Sequence, residues 1–217
     1  EFVMRIGVIG SAVVGQTLAS GLKKHGHDVR IAIRTPAKLA DFSKSAGIAA
    51  GPTSEVAAWA ELIVLSVSGT AAVDAIGEAG PANLQGKTVI DTTNPISKQP
   101  PEDGVLHFFT SPNESLMERL QAAAPTAKFV KAFNSVGAGL MVNPVFPGGA
   151  KPTMFYCGND GDAKATVARI IDQLGWEGAD MGSAKAARAI EPLCQLWCIP
   201  GFRSNQWTSH AFHLLRR

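Results

Sequence analysis

The chain has 217 residues, 46% of them hydrophobic and 18% charged, with 20 Lys+Arg against 18 Asp+Glu for a net charge of +2. That balance excludes a disordered chain, which needs low hydrophobicity and high net charge, and the 22 glycines follow no three-residue period, which excludes a collagen-like one. Near-neutrality without a Lys/Arg block argues against nucleic acid as a partner, and apolar runs such as Leu62 to Val67 fall far short of the roughly 20 residues of a membrane span.

The length suits one domain that buries its own core. Phe2 to Ile9 carries Arg5 inside it and leads into a Gly-rich turn, so no signal peptide is expected. Glu1-Phe2-Val3 ahead of Met4 reads as a cloning scar, with Met4 the natural start. Cys157, Cys194 and Cys198 are an odd number without a CxxC pair and without His or carboxylate at ligand spacing. We expect buried structural thiols, no metal site and a reducing, cytoplasmic compartment.

In chain order, Met4 to Ile9 predicts a strand followed by a Gly/Ser turn. Val14, Leu18 and Leu22 then recur every four residues, as on one face of a helix that Gly26 closes. Val29 to Ile33 predicts a second strand, and Pro36 suits the first turn of the next helix, with Leu39 and Phe42 facing inward. Leu62 to Val67 is apolar without alternation, as expected of a strand covered on both faces. Thr88 to Asp91 and Phe129 to Phe133 continue the series. Strands separated by helical stretches imply right-handed crossovers and a parallel sheet. The fold class is therefore α/β, a doubly wound parallel sheet with a small C-terminal helical extension.

Further on, Thr153 to Cys157 predicts a strand, Val167, Ile170, Ile171 and Leu174 a helical stripe, and Trp176 to Met181 a last short strand. From Ala184 onward the pattern is helical to the end, and Pro192 and Pro200-Gly201 should break it into pieces. Residues 1–183 would form the nucleotide-binding domain and 184–217 a helical segment packed on it. His25 and His27 flank a helix end and read as surface residues. His210 and His213 fall in the last helix, and His107 reads as a loop residue.

The strongest chemical signal is Gly7-Val8-Ile9-Gly10-Ser11-Ala12-Val13-Val14-Gly15, placed between the first strand and the first helix. Gly10, Ala12 and Gly15 stand where a dinucleotide fingerprint wants its three glycines: for the tight turn, for close approach of the pyrophosphate, and for helix-on-strand packing. Ala12 is the smallest departure. The helix N-terminus offers free N–H groups to the anion. At the end of the second strand, where NAD binding calls for an acid, the chain has Ile33-Arg34-Thr35 and no Asp or Glu from Val29 to Ala40. Arg34 can stack on adenine and fork onto a 2′-phosphate, with Thr35 and Lys38 beside it, so NADP(H) is the expected cofactor.

Three further strand ends belong on the same edge of the sheet: Ser66-Val67-Ser68, Thr92-Thr93-Asn94-Pro95 and Ala132-Phe133-Asn134. Asn94 and Asn134 are the candidates to hydrogen-bond the ribose or the nicotinamide amide. No catalytic acid, nucleophile or base is evident. Hydride transfer between two stacked rings requires position and exclusion of water more than a proton donor.

The segments Met4 to Ala19, Asp91 to Ile96, Val130 to Ala138, Lys151 to Gly158, and Ala186 to Leu193 together resemble the NADP reductases that use the deazaflavin coenzyme F-420, in their bacterial branch. The same fold forms the NADPH domain of six-transmembrane ferric reductases. The resemblance spans essentially the whole chain and implies a crevice for two cofactors. NADP(H) would lie on Gly10, Ser11, Ala12, Val13, Val14, Gly15 and Arg34, with Lys38 also at the 2′-phosphate. A deazaflavin, FMN or FAD would stack on the open face of the nicotinamide near Ser66, Val67 and Asn134. Ile33 stands where the family has Ser or Thr, Asn134 where archaeal members have His, and Gly137 where they have Pro.

The expected function is an oxidoreductase that moves hydride between NADPH and a deazaflavin or flavin. The alternatives are a reductase of another small substrate, imine or carbonyl, and a non-catalytic NADP(H) sensor. The C-terminal Leu193, Leu196, Trp197, Phe202 and Trp207 outnumber what a small tail needs to cover itself, so a homodimer contact is expected there.

Overall fold

A computed structural model describes residues 2–217. Its described residues form an eight-stranded sheet with helices on both faces. The first half contributes β1 (Arg5–Ile9), α1 (Val13–Lys24), β2 (Asp28–Ala32), α2 (Ala40–Ala46), β3 (Ala49–Gly51), α3 (Thr53–Trp59), β4 (Leu62–Leu65), α4 (Ala72–Ala79), α5 (Pro81–Leu84) and β5 (Thr88–Asp91). The second half adds α6 (Leu116–Ala123), β6 (Lys128–Lys131), β7 (Thr153–Gly158), α7 (Gly161–Gln173), β8 (Glu177–Asp180), α8 (Ala187–Ile190) and α9 (Pro192–Ser204).

The order across the sheet is β3-β2-β1-β4-β5-β6-β7-β8. Its first six strands are mutually parallel, in the doubly wound arrangement with the order reversing between β1 and β4. β4 is buried at every position, which is why it reads as an unbroken apolar run. The core divides into two layers, one on each face of the sheet. Leu18, Leu22 and Trp176 belong to one layer, and Ile63, Ile76 and Leu120 to the other.

Three expectations are corrected. The sheet is not wholly parallel: β7 runs antiparallel to β6, with Val130 opposite Gly158. Residues 132–152 contain only short 3-10 turns and no crossover helix that a parallel return would require. β3 was not anticipated, because Ala49-Ala50-Gly51 lacks β-branched residues. The tail is helical only to Ser204. Pro192 opens α9, where its missing N–H costs nothing, and α9 runs on through Pro200.

Asn205 then takes a left-handed conformation (φ 53°) and ends α9. Residues 206–217 form a strap without regular structure that bends at 207–209. Phe212 accepts a 2.8 Å hydrogen bond from the Thr153 amide, so the strap runs beside the start of β7. His210 and His213 therefore lie in the strap, not in a helix.

His27 is also not a surface residue. It is buried, its Nδ1 accepts from the Met4 amide at 3.1 Å, and its Nε2 meets Gln173 Oε1 at 2.9 Å. With Nδ1 accepting from the amide, Nε2 is the ring nitrogen that donates to Gln173. Gly26 (φ 92°) turns the chain so that this ring points inward.

Candidate functional site

The C-terminal ends of β1, β2, β4 and β5 and the residues after β6 open onto one crevice. It has three adjoining sections that share Ser66, Val67 and Ser68 at one junction and Val14, Thr92 and Asn94 at the next. The end nearest β2 has a volume of about 420 Å³ and the end nearest α9 about 410 Å³.

At the first end, the chain leaves β1 through Gly10 (φ 126°) and enters α1 at Ala12. A Cβ on Gly10 would stand 2.6 Å from the Ser66 carbonyl oxygen, so this turn requires glycine on both conformational and steric grounds. No side chain caps α1. Its first-turn N–H groups and the positive end of its dipole face the crevice, as an anion-binding N-terminus does. These residues fit the pyrophosphate of a dinucleotide. Ser66 holds the turn from behind, its amide and hydroxyl both donating to the Ile9 carbonyl, at 2.8 and 3.1 Å.

Gly10, Ser11, Ala12, Ile33, Arg34, Ser66, Val67 and Ser68 line this end. Val14, Asn94 and Asn134 line the middle and far sections. The remaining expected residues stand elsewhere. Gly15 lies behind the turn as the contact between α1 and β1, and Val13 is 69% exposed on the outer side of the helix. Thr35 and Lys38 are exposed beyond the rim, and Pro95 and Ala132 are buried behind the walls.

Six residues at this end were not anticipated, Ile9 and Ala32 at the ends of β1 and β2 among them. Thr53, at the start of α3, lines the floor, and Ala71 and Ala75 leave room along α4. Glu78, also on α4, forms an ion pair with Arg34, whose Nε donates to Glu78 Oε1 at 2.8 Å. This hydrogen bond holds the Arg34 pKa above its ordinary value. The signal for the small residues was available, since Ala71-Ala72 and Ala75 follow the fourth strand at helical spacing.

At the far end, Phe133, Trp197 and Trp207 form aromatic and apolar walls around Asn94, Asn134 and Gly137. Phe133 is buried with φ 61°, a conformation that costs an aromatic residue on the order of 1–2 kcal/mol and turns the chain sharply after β6. Asn134 Nδ2 donates to Asn94 Oδ1 (3.1 Å) and to the Ile190 carbonyl (3.0 Å), while Asn94 Nδ2 donates to the Asn134 carbonyl (2.8 Å). Both hydrogens of the Asn134 amide are thus engaged, which fixes its orientation. The two amides brace each other across the crevice. Cys194 and Cys198 also line this section. Their shared helix face was legible, but that it turns toward the crevice follows from where α9 lies.

Directly beneath, Lys131 is fully buried between Asp91 Oδ2 (2.7 Å) and Glu191 Oε1 (2.9 Å), and it donates to the Thr93 carbonyl at 2.6 Å. Burial acts to lower the Lys131 pKa, but the two carboxylates outweigh it and hold the ammonium above its ordinary range. Glu191 also accepts from the first two amides of α6, Leu116 and Met117, at 2.9 and 3.0 Å. The cluster ties the β5 and β6 ends, the Thr93 loop and the C-terminal helices together.

Comparison with known proteins places the chain among nicotinamide-dependent reductases. The family model described as "NADP oxidoreductase coenzyme F420-dependent" matches residues 5–95. A crystal structure from Arthrobacter sp. FB24, provisionally described as an F420-dependent NADP reductase, superposes with a TM-score of 0.91 at 33% identity, covering 98% of this chain and 100% of that one. The metalloreductase STEAP3 of Rattus norvegicus is 28% identical over 200 residues, 90% of this chain; the match spans only 38% of that protein. A reductive aminase of Aspergillus terreus, solved with NADPH and ethyl-5-oxohexanoate, shares the fold at 20% identity and TM-score 0.67, over 94% of this chain and 64% of that one.

Proposed function

The chain belongs to the coenzyme F420-dependent NADP oxidoreductase family, and from that premise we propose that it passes hydride between NADPH and a deazaflavin or flavin ring seated in the far section of the crevice. It is an NADP-dependent oxidoreductase of the doubly wound fold. When bound, the dinucleotide supplies the hydride. This chain's residues bind, orient and exclude water.

The α1 N-terminus and the Gly10 turn receive the pyrophosphate, and Arg34 faces the adenosine end. Val14, Thr92 and the braced Asn94–Asn134 pair stand where the middle and far sections meet, so they orient whatever ring lies there. Phe133, Trp197 and Trp207 make the wall of this section apolar and rigid, which keeps water from a ring seated there.

The observation that carries the reading is the chemistry of the far section. Among the described residues, no carboxylate or imidazole lines it. A wall without a carboxyl or imidazole group suits an acceptor that takes hydride with no proton from such a side chain.

The test is stopped-flow oxidation of bound NADPH by FMN, FAD and the deazaflavin coenzyme in turn. Rapid oxidation by one of them supports the reading. Turnover of a cyclic imine or carbonyl with none of the three would overturn it in favour of a small-substrate reductase. Tight binding without any turnover would leave a nucleotide sensor.

A further inference from the structure

We propose that Glu78 is a specificity-determining residue of the crevice: it holds Arg34 as an internal stand-in for a 2′-phosphate and thereby narrows the preference for NADP(H) over NAD(H). The inference rests on the reading that this crevice takes a nicotinamide dinucleotide. The second strand ends without the acid that would receive a ribose 2′-hydroxyl. An acid nevertheless reaches the same rim from α4, 44 residues further along the chain.

The geometry makes the two roles of Arg34 compete. Its Nε and Nη2 both turn to Glu78 Oε1. A guanidinium presents its donors as a rigid fork, so the edge that grips a carboxylate is not free to grip a phosphate. The pair is open to solvent, with Arg34 73% and Glu78 36% exposed. An exposed ion pair is weak and screened, which means that a doubly charged phosphate can displace the carboxylate. The displaced carboxylate stays on the lip, where it repels that phosphate. Asp74, one helical turn earlier on α4, also contributes negative charge at Arg34. Toward a dinucleotide with a free 2′-hydroxyl the same carboxylate is an acceptor, the role that an acid plays in NAD-binding members of this fold.

The experiment is a fluorescence titration with NADPH and with NADH of the wild-type chain and of Glu78→Gln, Arg34→Gln and the double variant, at low ionic strength. Glu78→Gln is expected to tighten NADPH about fivefold and to weaken NADH or leave it unchanged. In the Arg34→Gln background the same change should tighten NADPH less than about twofold, because no guanidinium remains to be released.

A Glu78→Gln protein whose NADPH/NADH preference stays within about twofold of wild type, while both dinucleotides bind, refutes the role of Glu78 and leaves the crevice reading intact. Undiminished tightening in the Arg34→Gln background overturns the competition and assigns the effect to charge repulsion alone. Failure of the wild-type chain to bind either dinucleotide overturns the crevice reading, and this inference with it.

Discussion

Gly15 lies against Gly10 so closely that a Cβ added to Gly15 would stand 2.0 Å from the Gly10 carbonyl oxygen and 2.8 Å from Ser66 Oγ. The nearest obstacle is backbone, which cannot swing aside. Helix α1 would have to lift off β1, carrying its N-terminal end away from the crevice.

Gly15→Ala should therefore cost about 1–3 kcal/mol of stability, the usual penalty of overpacking, and weaken NADPH at least about tenfold. Urea unfolding and a binding titration measure the two. Ala12→Gly, on the crevice side of the same turn, should leave binding unchanged or tighter. If Gly15→Ala binds NADPH like wild type, the α1–β1 contact does not shape the site.

At the opposite end, a Cβ on Gly137 would approach Trp197 Cη2 at 2.6 Å and the Trp207 carbonyl at 3.2 Å. Gly137→Ala should narrow the far section without touching the Gly10 turn. NADPH affinity should stay within about twofold while turnover with the preferred acceptor falls about tenfold. Steady-state kinetics set beside a dinucleotide titration decides it. A proportional loss of both would mean that the two ends are not separate.

Lys131→Met would leave Asp91 and Glu191 buried with no counter-ion, a loss in the range of about 3–5 kcal/mol. Adding Asp91→Asn and Glu191→Gln should restore part of it, since the excess negative charge is then gone. Denaturant unfolding of the single and triple variants provides the comparison. Equal stability of Lys131→Met and wild type would show that the cluster is not held as ions.

The Arg188 side chain donates to Glu118 at 2.7 and 3.0 Å and holds its carboxyl well down, at about 2 against an ordinary 4.5. A carboxyl whose folded-state pKa is depressed contributes stability that is complete above its unfolded value and is lost as pH falls through the folded one. The contribution should thus be intact above about pH 4.5 and disappear toward pH 2. Arg188→Gln should lower the melting temperature near neutrality and flatten its decline across that acid window. Parallel melting curves for variant and wild type from pH 6 to the lowest pH at which both fold would sink the assignment.

Some of this was legible in the chain itself. Local spacing marks β1, the Gly10 turn and α1 because the strand, the turn and the helical stripe of Val14, Leu18 and Leu22 are neighbours in sequence. The apolar run of β4 and the stripe of α7 are legible for the same reason. Ala49-Ala50-Gly51 gave no such signal, because three small residues have neither bulk nor period, and β3 forms only because β2 offers it hydrogen bonds.

The sequence by itself determined the alternation of strands and helices, the place of the glycine turn between β1 and α1, and which strand ends share an edge of the sheet. Each follows from periodicity and turn chemistry within a short stretch of chain. Only the tertiary structure decided that β7 turns back against β6, that His27 is enclosed, that α9 turns its cysteines into the crevice, and that Arg34 meets an acid. Those outcomes join groups far apart along the chain, as Glu78 and Arg34 are joined across 44 residues. Spacing does not encode such a meeting, because it depends on how helices pack on a finished sheet. The absence of an acid near the second strand was a correct observation about the chain, yet the rim it borders carries Glu78 all the same.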